Sequence, residues 1–185
     1  MTQILPAAGT LLIADPFLKD PNFMRTVVFL CEHQEEGSFG FVLNRLYDFT
    51  LDQLMASAEG MPLPVYYGGP VQVDTIHFLH QYPDLIPGGF EVAEGIYWGG
   101  DFETAVQLLR DNEITPRGIR FFIGYSGWSE GQLLNELKEK SWITSKGNQR
   151  LVFEIDQNAI WKEALKDLGG EYEQLINYPI DPQLN

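Results

Sequence analysis

The chain is punctuated by short apolar runs set between clusters of Gly, Pro, Asn, Asp and Ser, and few of those runs alternate cleanly with polar residues. Runs rich in β-branched and aromatic residues, bounded by turn residues, read as strands. The strongest is Thr26-Val-Val-Phe-Leu-Cys-Glu-His33. A polar stretch, Gln34-Glu-Glu-Gly37, separates it from Ser38-Phe-Gly-Phe-Val-Leu-Asn44, which predicts a hairpin with a short Gly-containing loop. Further strands are predicted at 10–14, 65–67, 75–80, 90–93, 119–125 and 151–155.

Four helices are predicted where a residue able to cap precedes a stretch of helical period. Thr50 with Gln53 has capping-box spacing before 51–57, and Ser129 with Gln132 repeats it before 133–140. Asp101 precedes 102–110, where Phe102, Val106 and Leu109 share a face. Asp156 or Asn158 opens the last helix, whose stripe of Ile160, Trp161, Ala164, Leu165 and Leu168 ends at Gly169-Gly170. Strands and helices mix without strict βαβ alternation, which predicts an α+β fold. No low-complexity window, repeat or linker divides the chain, so a single domain over 1–185 is expected.

Charge narrows the partners. Twelve Lys and Arg against 26 Asp and Glu give a formal charge of −14 in 185 residues. Phosphate contacts need basic patches, so no direct nucleic-acid binding and no anionic membrane surface is expected. No run approaches the roughly 18 apolar residues of a spanning helix, and the segment 4–14 is interrupted by Pro6 and lacks a basic leader. A cytoplasmic location is expected, and the single cysteine, Cys31, fits a reducing compartment.

Candidate chemistry is sparse. Gly124-Tyr125-Ser126-Gly127-Trp128 lies between a predicted strand and a predicted helix, where a nucleophile elbow would present Ser126. An elbow needs Gly two residues after the nucleophile, and Trp128 stands there instead. The competing reading is a sharp turn, with Ser129 capping the next helix. A hydrolase or transferase of unrecognised type using Ser126 or His80 therefore remains an alternative.

Cys31, His33, His77 and His80 are the soft-ligand candidates for a tetrahedral metal site. Cys31 and His33 share a strand face by spacing, whereas His77 and His80 fall on opposite faces. Neither a metal nor any other cofactor is expected. Glu32, Glu35 and Glu36 read as a solvated loop rather than a cation site, since they lack the spacing of a calcium loop. The tryptophans at 98, 128, 142 and 161 read as core and rim aromatics. Asn44-Arg45 directly follows an apolar strand and carries a planar fork suited to carboxylate or carbonyl recognition, while Gly68-Gly69-Pro70 marks a sharp turn or a close approach.

The chain resembles the YqgE/AlgH family of small bacterial proteins. The likeness is carried by 9–14, Asp20-Pro-Asn-Phe23, 27–33, Gly37-x-x-Gly40-x-x-x-Asn44-Arg45, Gly68-Gly-Pro-Val71 and Leu79-His80. It resumes at Gly124-Tyr-Ser-Gly-Trp128, Gly131-Gln-Leu133, Glu136-Leu137, Ser141-Trp142 and Trp161-x-x-Ala164-Leu165. The resemblance implies a mixed, bifurcated and partly barrel-like sheet surrounded by about four helices. It brings a transcriptional-regulator label but no agreed reaction or cofactor. The chain departs from the pattern at Leu46, where proline is common, and over 177–185, which replaces a common Gly-His-Ala element. These readings predict a non-enzymatic binding or indirectly regulatory protein that takes a small anion, a peptide or a protein partner. Its cleft is expected to use Asn44, Arg45, Gly68, Gly69, Pro70, His80, Tyr125 and Trp128, with Arg45 turned toward 68–70 as one wall.

Overall fold

A computed structural model describes residues 3–180, so the last five residues of the divergent C-terminal element lie outside the described residues. The nine strands are β1 (Thr10–Ala14), β2 (Val27–Gln34), β3 (Gly37–Val42), β4 (Val65–Tyr67), β5 (Val71–His80), β6 (Phe90–Ala93), β7 (Ile96–Trp98), β8 (Ile119–Ser129) and β9 (Trp142–Lys146). They form one curled sheet in the order β6-β7-β5-β8-β3-β2-β1-β9, with β4 added beside β8. Every pairing is antiparallel except β4 with β8. The helical segments are α1 (Leu51–Leu54), α2 (Phe102–Arg110), α3 (Gln132–Lys138), α4 (Ile160–Leu168) and α5 (Glu171–Gln174). The fold is α+β, as the mixed order of predicted strands and helices led us to expect, with the bifurcated sheet that the family resemblance implies.

Burial explains the unbroken apolar runs. In β1, Leu11 and Ile13 face a core that contains Trp161, Ala164 and Leu165 of α4, while Leu12 and Ala14 face a second core with Leu133 of α3 and Trp142. Strand β2 divides the same way, with Val27, Phe29 and Cys31 on one side and Val28 and Leu30 on the other. A third core packs Ala105, Val106 and Leu109 of α2 against Phe78, Phe121 and Ile123. A sheet covered on both faces has no polar face to alternate with.

The fork in the sheet is built into β8. Its first half pairs with β4 through Phe121 to Ile123 and with β5 through residues 119–123, whereas residues 126–129 pair with β3. Gly124 sits at the break with φ of +68°, a left-handed conformation that a side chain disfavours. The segment leaving β4 wedges into this break. Gly68 donates its N–H to the Ile123 carbonyl at 2.9 Å, and its own carbonyl accepts from Val42 N–H at 2.9 Å and Ser126 Oγ–H at 3.0 Å.

Several local expectations are corrected. Residues 151–155 are not a strand; Arg150–Glu154 is a single wide helical turn burying Leu151, Val152 and Phe153, because a short apolar run does not distinguish the two. Strands β7 and β9 escaped the sequence reading. Strand β8 continues to Ser129, so Gly124 to Trp128 lies within a strand, and Gly131 rather than Ser129 holds the N-cap position of α3. The Ser129 N–H does donate to Gln132 Oε1 at 3.0 Å, which is the backward half of the expected capping box. Helix α4 opens after Ala159, with Asp156 Oδ1 accepting from Asn158 N–H at 2.9 Å in a turn just before it. Asp101 caps α2 as expected, accepting from Thr104 N–H at 2.9 Å. Among the described residues no helix is long and apolar enough to cross a membrane.

Candidate functional site

A cleft of about 590 Å³ opens where β3, β5, β7 and the second half of β8 converge. Its volume falls in the range of small-molecule and side-chain pockets. Besides Trp128, four rings from four strands line it: Phe39, His77, Trp98 and Tyr125. Their centroids form a closed circuit, with Phe39 to Trp98 at 4.9 Å, Trp98 to His77 at 6.3 Å, His77 to Tyr125 at 6.1 Å and Tyr125 to Phe39 at 5.9 Å. Val71 and Gly127 complete the apolar surface, and Glu32, Gln34 and Glu36 stand on the hairpin that borders it. Among the described residues lining this cleft there is no Lys or Arg.

A register shift puts the acidic groups there. The pairing of β2 with β3 slips between Leu30 and Glu32, so Cys31 is the extra residue of a bulge. Adding one residue to a period of two reverses the faces beyond it. Cys31 stays in the core with Phe29, whereas Glu32 and Gln34 swing onto the cleft, and the Gln34 amide donates to Glu32 Oε1. His33 goes to the opposite side, lining a smaller groove of about 330 Å³ with Leu133 and Leu134, and its Nδ1 lies 2.5 Å from Ser38 Oγ. The expectation that Cys31 and His33 share a face is corrected by this bulge.

The four soft-ligand candidates therefore do not converge. Burial raises the Cys31 thiol well above its ordinary range, reinforced by Glu32, which makes thiolate chemistry unfavourable. His77 and His80 lie on opposite faces of β5, one against Tyr125 and the other against Phe78 and Tyr97. Among the described residues no group of three or more His, Cys, Asp and Glu is placed to hold a metal.

His80 is fully buried, and both ring nitrogens are engaged. Nδ1 accepts from Tyr82 N–H at 3.1 Å, which leaves the proton on Nε2 to be donated to the Gly99 carbonyl at 2.9 Å. That is a neutral clasp on two backbone segments, with no free lone pair to act as a base. Ser126 is equally buried, its hydroxyl spent on the Gly68 carbonyl. His77 differs, because its Nε2 is buried and has no hydrogen-bond partner among the described residues.

Burial holds both His77 and His80 below the usual imidazole range, with the Gly99 bond opposing the shift at His80. The unfolded chain, with imidazoles near about pKa 6.5, takes up protons first as the pH falls. Their contribution to stability is thus fully present above that value and is lost as the pH falls through the folded values. The urea midpoint is expected to drop between about pH 7 and pH 5.5, and less steeply in His77→Phe. His80→Phe is expected to cost about 1–3 kcal/mol even at neutral pH, since two part-buried backbone groups lose their partner; an unchanged midpoint would contradict the clasp.

The Asn44-Arg45 expectation is also corrected. The Asn44 side chain accepts from Val27 N–H at 3.0 Å and donates to the Arg25 carbonyl at 2.9 Å, and the Arg45 guanidinium donates to the Met24 carbonyl at 3.0 Å. The two segments do meet, through Tyr67 N–H and the Arg45 carbonyl at 2.7 Å. The guanidinium bond goes to the 24–25 turn, however, and not to the backbone of 68–70. None of Asn44, Arg45, Gly68, Gly69, Pro70 or His80 lines the aromatic cleft; Tyr125 and Trp128 do. Trp128 is buried with Leu133 and Trp142, and its indole N–H donates to Glu136 Oε2 at 2.5 Å. Burial raises the Glu136 carboxyl against the opposing pull of the Trp128 N–H.

Sequence reasoning missed Phe39 and Trp98 as cleft residues and set Glu32 and Glu36 aside as a solvated loop. No spacing links Phe39, His77, Trp98 and Tyr125 in the chain, so only the strand order brings them together.

Comparison with known proteins gives a consistent picture. Residues 11–173 match the family model described as AlgH-like (DUF179). UPF0301 proteins of Chlorobium luteolum and Chlorobium limicola are 44% and 43% identical, covering 97% and 96% of this chain and 95% of each relative. The solution structure of the AlgH protein from Pseudomonas aeruginosa superposes with a TM-score of 0.71 at 28% identity, covering 97% of this chain and 98% of that one. A crystal structure of a Corynebacterium diphtheriae protein superposes with a TM-score of 0.78 at 21% identity, over 96% and 95%.

Proposed function

The chain belongs to the AlgH-like family, and from that premise we propose that it is a non-enzymatic binding protein whose aromatic cleft receives a segment of a partner protein. The observation that supports this reading is the closed circuit of Phe39, His77, Trp98 and Tyr125 lining an open cleft. Aromatic rings left at a surface offer large contact area at small entropic cost, which is why they dominate recognition sites. A small anion is the less favoured occupant, because Glu32 and Glu36 would repel it and no cation in the lining would hold it. Ser126 and His80 are committed to backbone partners, which weighs against the hydrolase or transferase alternative. Any regulatory role runs, on this reading, through a protein partner in the cytoplasm rather than through DNA.

Gly127 provides the test. A Cβ there would meet only Tyr125 and Val71 side-chain carbons at 3.6 and 3.8 Å, which is ordinary contact, so Gly127→Leu starts a bulky side chain beside the cleft rings without a backbone clash, and a circular dichroism melt checks that it folds. Panning a displayed random-peptide library on the full chain is expected to yield binders that fail on Gly127→Leu. Binders that hold both proteins equally would overturn the cleft as the binding site.

A further inference from the structure

The cleft combines two features that are independent of one another. Its lining is aromatic, with four rings in mutual contact. Its border is anionic, with Glu32 and Glu36 and no cation among the described residues that line it. Each feature selects the same chemistry. Ring faces carry negative quadrupole density and attract a cation within about 6 Å of the centroid, more strongly when the site is desolvated. Carboxylates at the rim add long-range attraction for positive charge and oppose negative charge.

Resting on the cleft reading above, we infer that the occupant is a cationic side chain, an arginine or lysine carried on a basic segment of a protein partner, seated over Phe39, Trp98, Tyr125 and His77 with its charge toward Glu32 and Glu36. The bulge at Cys31 serves this arrangement. Without the register shift Glu32 would point to the opposite face, and the rim would keep only the exposed Glu36 on the hairpin turn. A chain of net charge −14 adds attraction for such a segment at long range, but that attraction is nonspecific and screened by salt beyond about 8–10 Å. Specificity must come from the rings and from the two carboxylates beside them.

Fluorescence anisotropy with three labelled, capped hexapeptides on the full chain separates these contributions. The first alternates arginine with valine, the second replaces each arginine by the neutral isostere citrulline, and the third replaces it by glutamate. At about 0.15 M salt, where nonspecific attraction is reduced, the arginine peptide is expected to bind about tenfold or more tightly than the citrulline peptide, and the glutamate peptide not at all. Trp98→Ala and the double variant Glu32→Gln, Glu36→Gln should each weaken the arginine peptide about fivefold or more and leave the citrulline peptide little changed. Circular dichroism melts confirm that these variants remain folded, and the Glu→Gln pair keeps size and shape, so it decides the matter if Trp98→Ala does not fold.

Equal binding of the arginine and citrulline peptides, both lost in Gly127→Leu, would overturn the cationic occupant and leave the cleft reading standing. Arginine-peptide binding that survives Gly127→Leu would be bulk attraction to an acidic chain and would overturn both. No binding of the arginine peptide, alongside cleft-dependent binders of other composition from the peptide library, would overturn the inference alone.

Discussion

Gly69→Ala is expected to lose more than about 4 kcal/mol of stability, or to fail to accumulate as folded protein, although it adds a single methyl group. Gly69 lies where the segment after β4 crosses β8 at the fork. A Cβ at this position would collide with the Tyr125 carbonyl and the Ser126 amide nitrogen. All of those are backbone atoms, and none can rotate aside as a side chain would. Shifting them would break the pairing of Val71 with Tyr125 and of Gly40 with Ser126, and with it the junction between the two branches of the sheet. Overpacking of a few methylenes in a core usually costs about 1–3 kcal/mol, because side chains can relax; here they have no part in the clash. Urea unfolding of Gly69→Ala beside Gly127→Ala makes the comparison, since Gly127 is in the same strand region with room for its methyl. A Gly69→Ala midpoint within about 1 kcal/mol of wild type would show that the crossing is loose.

Trp161→Ala should cost about 3–5 kcal/mol, the range for deleting a large buried aromatic. Trp161 is 4% exposed on the inner stripe of α4, within the core that includes Leu11, Ile13 and Val27. Its indole N–H donates to the Ala14 carbonyl at 2.8 Å, and the Arg25 guanidinium stacks 4.5 Å above the ring. The same loss therefore removes apolar burial, strands a strand-end acceptor and releases the 24–25 turn that Asn44 and Arg45 hold. Trp161→Phe keeps most of the volume and gives up the hydrogen bond, so it should recover all but about 1–2 kcal/mol. Denaturant titration of both variants checks the pair. A loss well under ~1 kcal/mol for Trp161→Ala would place the side chain at the surface and contradict the packing.

Both predictions concern residues that the sequence had already singled out, for reasons of unequal quality. The stripe through Ile160, Trp161, Ala164 and Leu165 was legible because a helix against one sheet buries one face, and a period of 3.6 records that in the residues themselves. Gly68-Gly69 announced an unusual backbone, but not whether it opened a cleft or closed a crossing. Both are uses of a missing Cβ, and only the neighbour across the gap, here the Tyr125–Ser126 peptide, distinguishes them. Arg45 fared likewise. Its need for acceptors could be read from its place after an apolar strand, while the identity of the nearest carbonyl, Met24 rather than 68–70, depended on how the chain returned.

The sequence by itself determined the helix stripes of α2 and α4, the strongest strands such as β2 and β3, the caps at Thr50 and Asp101, the acidic surface and the family. Those are local or additive properties, carried by residue type and spacing within a few turns of chain. Tertiary structure alone decided the candidate site. Phe39, His77, Trp98 and Tyr125 belong to four strands whose neighbours are set by the sheet order, and that order reflects long-range pairing rather than any local pattern. The face on which Glu32 stands was decided by one unpaired residue, Cys31, which is apolar and reads in the sequence as one more core position. A period of two carries no memory of a slip, so a bulge within an apolar run leaves composition untouched and reverses everything that follows it.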